Sequence, residues 1–138
     1  FNTFRILDSF EKMLVGIETG KVDFKGMGLS YFPREILQCT SLHTLDISDN
    51  HFYNLPEAVS FLLTGLTNLT CTHNALEIIP SRFSWMKCIV SIQMSDNKIQ
   101  IIPNDLGSCT SLREINFRNN SILELQNEYL SLLAHSHH

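Results

Sequence analysis

Asp49, His73 and Asp96 are the side chains in this sequence whose types and spacing come nearest to reactive chemistry: carboxylate, imidazole and carboxylate, 24 and 23 residues apart. Carried on adjacent strands, three such ligands could converge on one ion. Solvated polar residues at strand ends explain them equally well, because a metal site also demands coordination geometry and supporting hydrogen bonds, and no metal is expected. Catalytic chemistry has less support. The sequence contains no Ser/His/Asp set, glycine-rich phosphate loop or Cys-x-x-Cys pair, and proximity of a carboxylate to a histidine is not in itself a site. His135, His137 and His138 read as a tail rather than as metal ligands. The sequons at Asn68 and Asn119 read as chance matches. The expectation is a protein that is not an enzyme and holds no cofactor.

A second set of side chains offers hydrogen bonding instead. Asn50, Asn74, Asn97 and Asn120 recur at intervals of 24, 23 and 23 residues. Each lies in one apolar frame: Leu42, Leu45, Ile47 and Phe52 around the first, Leu66, Leu69, Cys71 and Leu76 around the second. Ile89, Ile92, Met94 and Ile99 surround the third, and Leu112, Ile115, Phe117 and Ile122 the fourth. A fixed period with a fixed internal pattern marks a solenoid. A degenerate copy precedes them at Val22, Phe24, Leu29 and Phe32, with Met27 in the asparagine position. The chain must turn after each strand, leaving backbone groups that need partners. An amide side chain, donor and acceptor at once, can supply them, and the stacked asparagines are expected to form a continuous hydrogen-bonded ladder. Met27 cannot join it, which predicts a different local bend eased by Gly26 and Gly28.

The elements that position these residues follow from the same frame. Apolar residues alternating with polar ones predict short strands with one face inward. An apolar residue and a proline follow at Phe32-Pro33, Leu55-Pro56, Ile79-Pro80 and Ile102-Pro103. Apolar residues then recur about every third position, as in Leu106, Cys109 and Leu112, which suits a single helical or 3₁₀ turn. The return segment after Pro56 is one residue longer, predicting a bulge near Phe61 to Gly65. Residues 4–18 stand outside the repeats: Phe4, Ile6, Leu7, Phe10, Met13, Leu14 and Ile17 follow helical spacing. Asn2 or Thr3 can cap this helix and Gly20 can end it. Its expected role is to cover the open edge of the first repeat with that apolar face.

The asparagine frame with its Leu-Pro step resembles the leucine-rich repeat family, in the class of about 23 residues common among intracellular scaffold and signalling proteins. The resemblance implies an α/β repeat solenoid: a leucine-rich repeat horseshoe with a parallel concave sheet and short helical or irregular convex segments. Residues 1–138 would form one domain, with a capping helix over 1–20, five repeats over 21–128 and an end or tail over 129–138. In the last of these, a helical turn through Tyr129, Leu130 and Leu133 is expected to cover the final repeat, unless further repeats follow.

The resemblance also implies that polar residues between the strand leucines form the binding surface. They fall into columns: Lys21, Thr44, Asn68, Ser91 and Glu114; then Asp23, Asp46, Thr70, Gln93 and Asn116. Next come Lys25, Ser48, Thr72, Ser95 and Arg118, and finally Gly26, Asp49, His73, Asp96 and Asn119. No Trp, Tyr or Phe, the usual anchors of tight interfaces, stands in any column, which predicts a polar or modest-affinity protein partner. Trp85, Tyr31 and Tyr53 fall outside the columns.

Composition narrows the rest. Ten basic and fourteen acidic residues are scattered for a net charge of −4, without the basic cluster of a nucleic-acid binder. No apolar run approaches the roughly 20 residues that span a membrane. Cys39 and Cys109 lie three repeats apart, at least about 14 Å at inter-strand spacing, too far for a disulfide. With Cys71 they read as small buried hydrophobes, with Cys88 less determined. Extracellular members of the family usually carry disulfide-bonded caps, and the sequence shows none, so a reducing cytoplasmic setting and a monomer are expected.

Overall fold

The computed structural model describes residues 3–123 of the 138. The side chains of Phe4, Ile6 and Leu7, the cap at Asn2 or Thr3, the close of the fifth repeat and the turn through Tyr129 to Leu133 lie outside what it describes. Helix α1 (Thr3–Thr19) leads into five three-residue strands: β1 (Lys21–Asp23), β2 (Thr44–Asp46), β3 (Asn68–Thr70), β4 (Ser91–Gln93) and β5 (Glu114–Asn116). They form one parallel sheet in chain order. The register aligns Val22, Leu45, Leu69, Ile92 and Ile115 as one row, and all five are buried. Each strand is a polar-apolar-polar triplet, so the pleat sends the central residue inward and its neighbours outward.

Further apolar rows lie behind the sheet. Phe24, Ile47, Cys71, Met94 and Phe117 are buried one step past the strands, and Phe52, Leu76 and Ile99 fill the next layer. The far wall is made by Ile36, Val59, Phe83 and Leu106. Each repeat therefore buries its apolar edge against its neighbour, the condition under which a solenoid is stable.

Three return segments contain 3₁₀ turns, at Arg34–Gln38, Phe83–Trp85 and Asn104–Ser108. The fourth is an α-helical turn, α2 (Ala58–Leu62). The difference accounts for the additional residue after Pro56. Elsewhere the closing N–H bonds three residues back, as in Cys39 to Ile36 O at 2.9 Å; Leu63 bonds four back, to Val59 O at 3.1 Å. Widening the turn from the 3₁₀ to the α pattern absorbs one residue. The expected bulge is therefore a wider helical turn, and it leaves Phe61 and Leu62 exposed at its tip.

Helix α1 packs beside β1, but not on the face that its apolar spacing implied. Met13 meets the core and Gly16 is buried, whereas Phe10, Leu14, Val15 and Ile17 are each at least half exposed. The cause is a close approach: a methyl group on Gly16 would overlap the Val22 side chain. The smallest residue on the helix turns toward the strand edge, so the backbone comes nearer than a row of Phe and Leu would allow.

Candidate interaction surface

The in-register strands carry the polar columns onto one face. Lys21, Thr44, Asn68, Ser91 and Glu114 align, as do Asp23, Asp46, Thr70, Gln93 and Asn116. Backbone bonds continue the register: Gly26 N–H to Ser48 O at 3.0 Å, Asp49 to Thr72, His73 to Ser95 and Asp96 to Arg118. Lys25, Thr72, Ser95 and Arg118 thus stand beside Ser48 in a third row. Of the predicted surface residues, Asp23, Lys25, Asp49, Asn68, His73, Glu114 and Arg118 are exposed. Thr44, Asp46, Thr70, Thr72, Gln93, Ser95, Asp96 and Asn116 are half-buried.

Ser48 and Ser91 are the corrections, Ser91 being 5% exposed. Ser48 is 2% exposed, and its hydroxyl accepts from Thr72 N–H at 3.0 Å and lies 3.0 Å from the Thr72 hydroxyl. It ties two repeats together and offers no surface to a partner. Asp23, Asp46 and Asn116 have a partly structural role too: each accepts from the N–H two residues on, at 2.9 Å. Such Asx turns guide the chain out of the strand.

A single polar chain runs across the rim of the sheet. Lys25 Nζ lies 4.0 Å from Asp49, whose other oxygen is 3.3 Å from His73 Nδ1. His73 Nε2 is 3.4 Å from Asp96, and Asn119 Nδ2 donates to the second Asp96 oxygen at 3.0 Å. The two ring nitrogens face different carboxylates, so Asp49, His73 and Asp96 bracket the imidazole instead of converging on a common point. Among the described residues no three such groups are placed to hold a metal ion. A doubly protonated ring can donate to both carboxylates, and a neutral ring to only one.

The backbone explains why these residue types occur here, which the sequence reading missed. Asp49, His73, Asp96 and Asn119 have φ of 56°, 54°, 59° and 55°, and Gly26 has 68°. This is the left-handed region, which Asn, Asp, His and Gly tolerate best. The recurrence of those types immediately before the asparagine position was the available signal. Gly26 thus follows the same bend as its counterparts, and the departure in the first repeat lies at Gly28, with φ of 67°.

The asparagines bridge repeats without bonding one another. Asn97 Nδ2 donates to Cys71 O at 2.9 Å in the preceding repeat and to Met94 O and Ser95 O at 3.1 Å in its own. Its Oδ1 accepts from Leu76 N–H at 3.0 Å. Asn74 and Asn120 repeat this pattern. Asn50 accepts from both Met27 and Leu29 N–H, at 3.1 and 2.9 Å. Met27 stands at the first rung, where no preceding repeat presents backbone groups for an amide to serve.

At the first-repeat end the face opens into a cleft of about 680 Å³ between α1 and β1, with Asp8, Glu11, Lys12 and Val15 on the helix side and Lys21 and Asp23 on the strand side. Asp46 and Asp49 in the second repeat and Asp96 in the fourth add acidic groups to the face, and its two end repeats mix signs, Lys25 with Asp23 and Arg118 with Glu114. On the convex side Trp85 packs edge-on to Phe61, ring centroids 6.1 Å apart, with the Arg82 guanidinium 5.7 Å above its ring. Carboxylates join neighbouring return segments there. Glu57 accepts from Ser81 N–H, and Asp105 accepts from both the N–H and the hydroxyl of Ser84.

All four cysteines are unpaired. Cys39 and Cys71 are buried, Cys109 half-buried and Cys88 exposed. Burial pushes the Cys39 thiol up and the Cys71 thiol further, with Asp46 adding to the second. Cys109 is pushed up to about 11, first by burial and then by Asp105, against a smaller opposing effect of Lys87.

Comparison with known proteins agrees with this geometry. A sequence profile described as Leucine Rich Repeat matches residues 41–62. Volume-regulated anion channel subunit LRRC8E of Homo sapiens is 28% identical over 94 residues, covering 67% of this chain and 12% of that protein. Tsukushi of Gallus gallus is 30% identical over 129 residues, 89% of this chain and 32% of that one. A solved LRR protein of Leptospira interrogans superposes with a TM-score of 0.67 at 19% identity, covering 84% of this chain and 36% of that one. This chain belongs to the leucine-rich repeat family. As a leucine-rich repeat chain it spans an eighth to a third of the length of these curated relatives. Such repeats are typically protein-interaction modules and generally non-catalytic. Among the described residues no helix is long and apolar enough to cross a membrane.

Proposed function

We propose that this leucine-rich repeat unit is a non-catalytic interaction module, a scaffold or adaptor, that takes a protein partner on its concave face. The alignment of three polar rows across five repeats carries the reading, because it gathers polar side chains onto one face at a spacing of about 4.8 Å, exposed at Lys21, Asp23, Lys25, Asn68, Glu114 and Arg118 and largely half-buried between them. The absence of aromatic anchors within those rows favours a polar partner of modest affinity. Unpaired thiols with two buried as apolar groups favour a reducing, cytoplasmic setting. The scattered charge gives no support to nucleic-acid binding.

A second reading, the recognition segment of a larger signalling protein such as a kinase, GTPase or ubiquitin ligase, is favoured by the small share of its relatives' length that the chain spans. Both readings use the same face. Photo-crosslinking from Asn68 on the concave face and from exposed Glu35 in the 3₁₀ turn of a return segment tests it in cell extract. Adducts specific to Asn68 are expected. Glu114→Lys with Arg118→Glu should then weaken the captured partner at least tenfold without moving Tm. Equal adducts from both faces would count against the proposal.

A further inference from the structure

Helix α1 keeps its main apolar row outside. Phe10, Leu14 and Ile17 are 56%, 50% and 58% exposed. Spaced four and three residues apart, they stand on one face of the helix, and the sequence continues that spacing back to Leu7. Contact with the first repeat uses a different face, where Met13 meets the core and Gly16 and Gly20 are buried. Val15 belongs to neither, since it lines the cleft with Lys21 and Asp23. A helix that only covered its own repeat would turn a polar face to water. Here the outer face is a seam alternating by three and four, the pattern into which a second helix seats its own side chains, crossing at about 20°.

The edge of the seam sets the charge of what covers it. Glu11 and Glu18 directly follow Phe10 and Ile17, lie on the same side of the row and are both exposed. Within the helix no Lys or Arg stands three or four residues from either, the separation at which a cation would pair with them. A covering helix with Lys or Arg along that edge supplies the missing charge. A second copy does not. Laid antiparallel, the acidic edge faces itself and sets Glu11 against Glu18 of the other copy, where like charges are unfavourable. Laid parallel, it faces the Met13 side, which carries no cation and is already packed on its own core. Anionic lipid, another common cover for an apolar helix face, favours a basic edge and is repelled by an acidic one.

We infer that the outer face of α1 is a docking site for a helix of a protein partner, one that bears apolar residues at alternating steps of three and four with Lys or Arg beside them. The site lies apart from the concave rows and does not rest on the function proposed for them. Three displayed libraries of peptides about 20 residues long, near the length at which isolated helices form, are selected against the whole chain. One carries the apolar seam flanked by Lys and Arg, one the same seam flanked by Glu, and one the basic composition with the seam scrambled. The basic seam library should be enriched, and the affinity of its selected peptides should fall at least tenfold on Leu14→Ser or Ile17→Ser. Glu11→Lys with Glu18→Lys should move the enrichment to the Glu-flanked library, whereas Glu114→Lys on the concave face should change nothing. All of these side chains are exposed, so unaltered far-UV circular dichroism and coincident melts are expected. The charge swap keeps the whole apolar row and still decides the matter where a serine variant frays the helix. No enrichment, equal enrichment of the scrambled or Glu-flanked peptides, or a charge swap without effect would overturn the inference. So would a dimer in sedimentation that Leu14→Ser dissolves, which makes a second copy the occupant, or binding to phosphatidylserine vesicles that the same variant loses, which makes it a membrane.

Discussion

Replacing Asn97 with alanine removes a buried amide that joins two repeats. The side chain is 8% exposed. Three donor bonds and one acceptor bond are lost: Cys71 O at 2.9 Å, Met94 O and Ser95 O at 3.1 Å, and Leu76 N–H at 3.0 Å. Alanine is too small to fill the space and offers nothing to Leu76 N–H, which stays buried. A buried polar group left without a partner costs about 1–3 kcal/mol. Leu76 N–H bears that cost most fully, because the carbonyls keep a second lone pair for other partners. The expected loss is therefore about 2–4 kcal/mol, a large share of the roughly 5–15 kcal/mol of a whole domain. Urea unfolding followed by far-UV circular dichroism and by Trp85 fluorescence measures it, with exposed Glu114→Ala as the control. Asn97→Asp provides a second check, since the carboxylate retains the acceptor for Leu76 but turns negative oxygen toward three carbonyls. It should destabilise at neutral pH and recover partly in acid, as protonation restores a donor. A loss below about 0.5 kcal/mol with an unchanged urea slope would refute the cross-repeat role, being the size of an ordinary surface substitution.

Four further outcomes test other parts of the structure. At the left-handed rim position, His73→Gly should be close to neutral, whereas His73→Val should cost about 1–2 kcal/mol; equal melting points for the two would discount the backbone explanation. In native protein, a thiol reagent at pH 8 should label Cys88 quickly and the other cysteines only on unfolding, as mass spectrometry would show; early labelling of Cys71 would contradict its burial. Because Cys39, Cys71 and Cys109 titrate higher folded than unfolded, the unfolded chain releases their protons first. Stability from these thiols is present below about pH 9, where unperturbed thiols titrate, and falls as pH rises toward about 11 for Cys109. Cys71→Ala should flatten that alkaline decline in denaturant melts. For the helix contact, Gly16→Ala gains about 1 kcal/mol of helix propensity but overpacks Val22 at a cost of about 1–3 kcal/mol. A double-mutant cycle with Val22→Ala should show positive coupling, and additive effects would place the helix elsewhere.

The repeat was legible in the sequence because its cause is local and periodic. The row from Val22 to Ile115, the five strands and the polar columns all follow from which residues alternate and how often the frame recurs. Even so, alternation could not tell Ser48 from Thr72: both are small and polar, and only stacking shows that the first is buried beneath the second. The left-handed bends at Asp49, His73, Asp96 and Asn119 were legible in residue type, though the position was read as surface alone. In the same way, the wider turn at α2 follows from one added residue once the hydrogen-bond step is known.

Tertiary structure decided what periodicity leaves open. A helical pattern states that α1 has an apolar face, not which face meets the first strand; Gly16 settled that by admitting the closest approach, and Phe10, Leu14 and Ile17 were left outside. The asparagines were expected to form a hydrogen-bonded ladder; stacking decided its rungs, which run from each amide to backbone N–H and C=O groups of the preceding repeat. Sequence by itself determined the repeat, its inward rows and its outward polar columns. Only stacking the repeats decided which polar groups are used up between them and which side chains remain exposed, because both depend on what the adjoining repeat covers.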